Sequence, residues 1–249
     1  MCSFYVVNIR PELCVLTASA AAHYGTVRGI RVANKVVRSI HSSPKAHVLR
    51  FLPLRGPLFC YWYADASPHA ERTGEKGRSG MIAFLGEAPT RAHRKPRANL
   101  LRYKSSSQNR TCKGSNTAEL LAQSLQHTVA MGQSLLLEEL GIEARHVLFC
   151  DNYGLHGAIH SFNPQLTEWR YMPLLKSIRE DVNPRDVGDS KTRALCWWID
   201  GGSMPADCLT KHVPRVMDAF YKTGELDLQT ALQHPCVSNE YSPYMNGQK

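Results

Sequence analysis

The chain has 249 residues, of which 43% are hydrophobic and 20% charged, and carries a formal net charge of +9. These are globular values in a chain long enough to bury a core, as one large domain or one and a half small ones, and they exclude a protein that must rely on staples for stability. The longest apolar run, Leu13 to Ala22, contains Thr and Ser and is too short to span a bilayer, and the first residues lack the basic n-region of a signal peptide, so no membrane anchor is expected.

The eight cysteines, Cys2, Cys14, Cys60, Cys112, Cys150, Cys196, Cys208 and Cys236, form no Cys-x-x-Cys pair. Neither a zinc site nor a disulfide framework is expected from that scatter, and a reducing intracellular compartment, cytoplasmic or nuclear, fits best. The positive charge is uneven: between Glu87 and Glu119 there are eight Lys or Arg and no acid, among them Arg94, Lys95, Arg97, Arg102 and Lys104. Such a segment seeks a polyanion or an acidic surface, the plain alternative being a solvated basic loop.

In chain order, residues 1–55 are basic, with Glu12 the one acid against eight Lys or Arg. Val32, Val36, Val37 and Ile40 recur at helical intervals and predict a helix over residues 30–42 with Lys35 and Arg38 outward. Pro44, Pro53 and Gly56-Pro57 break the chain, and a domain boundary is placed near Pro53. The aromatic run at residues 58–64 predicts a strand ending at Asp65, followed by a polar excursion over 69–77, a strand at 79–85, a turn at 86–89 and a third strand over 99–104. Together they predict an antiparallel meander.

Residues 115–119 open the strongest helix, with Leu120, Leu121, Leu125, Val129, Leu136, Leu137 and Leu140 as its apolar face and Gly141 as its stop. Val147-Leu148-Phe149-Cys150 predicts a short buried strand halted by Asp151-Asn152. A helix over 155–161, a further helix over 168–180 confined by Pro173 to its second half, and a strand over 193–199 follow. Asp200-Gly201-Gly202 turns, Ser203 caps, and Pro205 starts a helix carrying Asp207 in its first turn. Residues 226–249 are expected to be a flexible tail. The element order is β-β-β-α-β-α-α-β-α.

Four carboxylates fall at element ends: Asp65, Glu119, Asp151 and Asp207. Each has a plain explanation. Asp65 and Asp151 suit turns, Glu119 lies at the capping-box position after Asn116, and Asp207 complements a helix dipole. If instead they converge at one sheet edge, they would repel one another without a divalent cation between them, and an all-oxygen set selects Mg²⁺ or Mn²⁺. Two such ions activate a water and stabilise the leaving oxygen of a phosphodiester, and a basic flank beside them would bind the phosphates. Trp197 and Trp198 are read as packing residues, and His156, His160 and His212 as solvated surface histidines.

YADAS (63–67), SGMIAFLGEAP (79–89), YKSSSQ (103–108), NTAEL (116–120), LLLEELGI (135–142), FCDN (149–152), LKSIRE (175–180) and PADCLTK (205–211) occur in the order and at about the spacing of one family. They resemble the ribonuclease H domain of copia-type LTR retrotransposon polyproteins. NIRPEL (8–13) and ANKVVRSI (33–40) resemble the connection segment that ends the reverse transcriptase there.

The resemblance implies an α/β fold, a ribonuclease H-like five-stranded mixed sheet flanked by helices, in residues 56–225, after a connection-like basic segment over 1–55. It implies cleavage of the RNA strand of an RNA–DNA hybrid with Mg²⁺ or Mn²⁺. By position, Asp65, Glu119, Asp151 and Asp207 match the metal-binding acids, Asp65 bridging both ions, Glu119 and Asp151 holding the one nearer the leaving oxygen, and Asp207 the one that orients water. Asn152 and, with the basic segment, Arg170 become candidate hybrid contacts.

The sequence also departs from the family. Ser67 stands where the family has a second acid, Asn116-Thr117-Ala118-Glu119 alters the polar helix start, and only Arg170 remains of a basic cluster over 165–170. The polymerase Tyr-x-Asp-Asp is absent, so the chain reads as a fragment, or a decaying or repurposed copy, of a longer polyprotein whose reverse transcriptase would be its partner. Two other classes compete: a catalytically inactive nucleic-acid-binding remnant, and a structural α/β domain whose acids only cap helices.

Overall fold

A computed structural model describes residues 10–42, 49–67, 77–90, 94–108, 110, 112–161, 163–164, 166–182, 194–211 and 217–233. Five strands, β1 (Leu58–Ser67), β2 (Arg78–Glu87), β3 (Ala98–Ser107), β4 (Ala144–Cys150) and β5 (Ala194–Trp198), form one sheet in the order β3-β2-β1-β4-β5. The first three make the antiparallel meander, whereas β4 runs parallel to β1 and β5 parallel to β4. This is the five-stranded mixed sheet that the resemblance implies, and the predicted order of elements holds from β1 to β5, whereas the last predicted helix is a 3₁₀ turn.

β1 is the central strand, and its sequence shows why. Phe59, Tyr61 and Tyr63 face one layer, Cys60, Trp62 and Ala64 the other, and all are buried. A strand covered on both faces reads as a continuous apolar run rather than an alternation. On one face lie α3 (Ser115–Glu139), α4 (Tyr153–His160) and α5 (Met172–Val182), packed around Trp62, Leu120, Leu148 and Leu175. The other face is covered by a 3₁₀ turn (Pro205–Leu209), α6 (Asp218–Thr223) and α7 (Gln229–Gln233), around Tyr63, Phe149 and Trp197. Tyr63 and Phe149 stack with ring centroids 4.4 Å apart.

The N-terminal residues form α1 (Cys14–Ala22) and α2 (Val27–Ser42), the second extending the predicted helix by one turn toward its start. They dock on the sheet's second layer through a buried polar knot. Arg10 is hydrogen-bonded to Glu12, and the hydroxyl of Tyr221 in α6 donates to Glu12 at 2.8 Å. Charges this deep require such mutual partners.

Several expectations need correction. The apolar face predicted for α3 is rotated: Leu136 and Leu140 are exposed, while the buried stripe holds Leu120, Ala130 and Leu137 together with Gln123, Gln126 and His127. Gln123 is tolerated there because its Nε2 donates to the Phe149 carbonyl at 2.7 Å, and His127 because Nε2 meets Asp181 at 2.7 Å. Ser203 does not cap a helix; it ends a short 3₁₀ turn, and the turn bearing Asp207 is itself 3₁₀, with Met204 before it. Pro173 sits at the second position of α5, where its missing N–H is not needed, so the regular helix starts at Met172. Part of the predicted tail belongs to the core. Leu226, Leu228, Ala231 and Leu232 are buried, and the rest of that predicted segment, residues 234–249, lies outside the described residues. Most of the 69–77 excursion, and His212, also lie outside them.

Among the described residues no helix is long and apolar enough to cross a membrane, and no disulfide joins the described cysteines.

Candidate metal centre

Asp65 does not end its strand. It sits inside β1, opposite Gly80 of β2, two residues before the strand stops. Because side chains alternate, Asp65 follows Tyr63 on the face covered by the 3₁₀ turn. That turn lies unusually close to the sheet at this point, and Gly80 is the reason. A Cβ on Gly80 would fall 2.7 Å from Cβ of Leu209 and 2.9 Å from Cγ2 of Thr210. Glycine thus lets the 3₁₀ backbone approach, and with it Asp207.

Asp151 follows β4 directly, beyond the carboxyl end of a parallel strand, where open α/β sheets place their ligands. One carboxylate oxygen from each of Asp65, Asp151 and Asp207 lies within 4.8 Å of the others. Asp65 is buried, and the other two are half-buried.

Glu119 approaches from α3. It is not a capping-box residue, since Gly114 occupies the N-cap and the Glu119 carboxylate instead accepts the Ala66 N–H at 3.3 Å. Its other oxygen, Oε2, is buried without a hydrogen-bond partner. Burial, then the charges of Asp65 and Asp151, push the Glu119 carboxyl up to about 9. Burial, then Asp65 and Asp207, push Asp151 up to about 6. Asp207 is also raised, chiefly by burial. Carboxyls held this far above their ordinary range mark a concentration of negative charge short of counter-charge.

Two residues that sequence reasoning did not single out complete the cluster. The Thr210 hydroxyl donates to Asp65 Oδ2. Lys211 Nζ lies 2.8 Å from Asp207 Oδ1 and 3.6 Å from Asp65 Oδ2. Burial works against the charged form of Lys211, but the hydrogen bond to Asp207 and the charges of Asp65 and Asp151 leave its pKa raised overall. The signal was present in PADCLTK, where a lysine follows an aspartate by four residues.

The predicted nucleic-acid contacts are dispersed. Asn152 caps α4, accepting the Leu155 N–H at 2.9 Å, and donates to Asn116 Oδ1 at 2.8 Å, so its amide is spent on local structure beside the acids. Arg97 pairs with Glu87 at 2.6 Å, Lys95 with Asp227 at 3.0 Å, and Arg170 with Glu168 at 2.9 Å. Arg94 is half-buried. Arg102 and Lys104 are exposed on the edge strand β3, opposite Ala83 and Met81, and therefore on the α3 side of the sheet. Trp197 is buried as expected, but Trp198 is half-buried and donates its indole N–H to the Asp151 carbonyl at 3.2 Å, so it also positions the acid's backbone. His156 is buried and His160 half-buried, contrary to the reading of both as solvated, because α4 lays this face on the sheet.

The acids fit a hard divalent cation. The donors are all carboxylate oxygens, and the buried Glu119 Oε2 is the kind of orphaned acceptor that an ion or its water would satisfy.

No family model and no curated protein matches the chain. Among solved structures it is similar to LC11-RNase H1 in complex with an RNA/DNA hybrid, at 14% identity over 62% of this chain and 96% of that one, with a TM-score of 0.39. It is also similar to LC9-RNase H1, a type 1 RNase H with the type 2 active-site motif, at 13% identity over 76% and 86% of the two chains, with a TM-score of 0.35. A foamy viral protease-reverse transcriptase aligns at 13% identity over 85% of this chain and 34% of that one, with a TM-score of 0.34.

Proposed function

We propose that the chain is a divalent-metal-dependent endonuclease that cleaves the RNA strand of RNA–DNA hybrids, derived from the polyprotein of a copia-type retrotransposon. The observation that carries this reading is the meeting of Asp65, Asp151 and Asp207 within 4.8 Å, with Glu119 close enough to be raised by two of them. Asp65, Asp151, Asp207 and Glu119 would hold Mg²⁺ or Mn²⁺. The chemistry supplied by ions in such a site is activation of a water and stabilisation of a leaving phosphodiester oxygen.

The chain's own groups do the rest. The Thr210 hydroxyl fixes the orientation of Asp65. The Trp198 indole holds the backbone of Asp151. Arg102 and Lys104, exposed and without acid partners in their strand, meet the phosphates of the hybrid. A hybrid is read by shape, 2′-hydroxyls and backbone, so no sequence preference is expected.

The test is a gel assay of the purified protein on a labelled RNA–DNA hybrid with Mg²⁺, with Mn²⁺ and with EDTA, beside the Asp151→Asn variant. Metal-dependent loss of the RNA strand, absent in the variant, supports the proposal. No cleavage by a protein shown to be folded overturns it in favour of a binding remnant.

A further inference from the structure

A second convergence of ligating side chains lies on the other side of the sheet from Asp65. His156 and His160 stand four residues apart on α4 and so share one helical face, with ring centroids 4.5 Å apart. Cys196, in the middle of β5, faces them from below. One ligand atom from each of His156, His160 and Cys196 lies within 4.8 Å of the others. His156 is 3% exposed and Cys196 is 1% exposed, while His160 is half-buried and gives the cluster its opening to solvent.

The hydrogen bonding of His160 has the form seen around metal-ligating imidazoles. Its Nε2 lies 3.1 Å from the Cys196 backbone carbonyl. A carbonyl can only accept, so Nε2 carries the proton and Nδ1 the lone pair. A ligating histidine ordinarily donates its other ring N–H to such a carbonyl or carboxylate, which fixes tautomer and ring orientation. Cys150, on the same sheet face, directs its thiol to the Asn152 carbonyl at 3.4 Å and is not counted in the set.

Two imidazoles and a thiolate are the donor set of a borderline-soft ion and a poor one for Mg²⁺ or Ca²⁺. We propose that His156, His160 and Cys196 form a second metal site, for Zn²⁺, distinct from the acid cluster, with water as fourth ligand on the side of His160. Binding displaces the Cys196 thiol proton to solvent and forms one metal–sulfur and two metal–nitrogen bonds. With bond lengths of about 2.1 Å to nitrogen and 2.3 Å to sulfur, the ligand atoms, which lie within 4.8 Å of one another, would draw together on binding. The ion clips α4 to β5. Since Asn152, the neighbour of Asp151, caps α4, the clip holds that helix start beside the acids.

The site is tested by titrating the whole chain with Co²⁺ in saturating Mg²⁺, which keeps Co²⁺ off the carboxylates. The expected result is one equivalent of tetrahedral cobalt with intense visible bands and a near-ultraviolet thiolate-to-cobalt band, all displaced by Zn²⁺. Cys196→Ser should abolish the near-ultraviolet band, and Asp151→Asn should leave the spectrum unchanged. His160→Gln should weaken cobalt binding at least about tenfold, and being half-buried it tests the site even where Cys196→Ser fails to fold. No thiolate band in the unaltered chain, a band that survives Cys196→Ser, or unchanged affinity in His160→Gln would each overturn the proposal.

Discussion

Lys211 holds its ammonium 2.8 Å from Asp207 and 3.6 Å from Asp65, so a cation of the protein's own spans two of the carboxylates expected to bind metal. It therefore competes with a divalent ion for the same oxygens while also relieving their repulsion. Lys211→Met is expected to lower the melting temperature without metal and to raise Mg²⁺ affinity severalfold, at low ionic strength where exposed charges are least screened. Calorimetric titration checks this, and an unchanged Mg²⁺ affinity would show that the ammonium is not in competition.

Asp151→Asn keeps the shape of the side chain and removes one ligand charge. Loss of several kcal/mol of charge stabilisation corresponds to a fall in hybrid cleavage on the order of 10³-fold. Hybrid binding in a filter or anisotropy assay is expected to persist, because the exposed Arg102 and Lys104 are untouched. Loss of binding together with cleavage would indicate that the variant had disturbed more than metal ligation.

Glu119 supplies a pH dependence. Its carboxyl sits at about 9 against an ordinary 4.5, so between those values the folded chain holds a proton that the unfolded chain has released. Its stabilising contribution is thus complete below about 4.5 and declines as pH rises toward 9, by up to about 1.4 kcal/mol per pH unit. Metal-free Glu119→Gln is expected to flatten that decline in denaturant melts between pH 5 and 9, and to be more stable than the parent at pH 8. Mg²⁺ should reverse the order, since the parent alone offers the carboxylate. A metal-free variant that is less stable at pH 8 would contradict the account.

His146 acts with the opposite sign. Burial lowers it from 6.5 to about 4, where it accepts the Trp62 indole N–H at 3.0 Å. The unfolded chain binds the extra proton, so stability present above about 6.5 is lost as pH falls through about 4, by about 3 kcal/mol. In His146→Gln that part of the acid loss should disappear from melts taken between pH 7 and 4. An identical pH profile would assign the loss to other groups.

Gly80→Ala tests the close approach of the 3₁₀ turn. The added Cβ meets Leu209 and Thr210 below 3 Å, so the turn must move outward. Overpacking of this kind costs about 1–3 kcal/mol. Mg²⁺ affinity should fall as well, because Asp207 and Thr210 ride on the displaced segment. A variant that loses stability but keeps Mg²⁺ affinity would separate packing from the site.

The strands were legible because their signal is local. The aromatic and β-branched runs of β1 and β4 are buried on both faces and need no partner to be recognised. The acids were legible as residue types and the resemblance aligned all four, but the element-end reading fails for Asp65, which lies inside β1, and for Glu119, which lies beyond the cap of α3. The buried stripe of α3 was not legible, because Gln123 and His127 are made compatible with burial by Phe149 and Asp181, residues 26 and 54 positions away. Leucine content pointed instead to Leu136 and Leu140, which are 47% and 64% exposed. Thr210 and Lys211 escaped notice for a related reason. Their proximity to Asp65 depends on the missing side chain of Gly80, a residue with no apparent chemistry.

The hydrogen bond between Thr210 and Asp65 joins positions 145 residues apart, whereas the β1–β2–β3 meander is built from neighbours in sequence. Within that meander Asp65 has no other carboxylate of the cluster near it in sequence, and its three acidic neighbours all come from later segments. The mutual repulsion of the acids arises through long-range contacts, Asp151 arriving with the pairing of β4 to β1, Glu119 with α3, and Asp207 with the 3₁₀ turn, each after its loop-closure entropy has been met. An ion that binds the assembled cluster would consequently act on the unfolding rate, lengthening the life of the native state, while leaving the speed of its formation nearly unchanged.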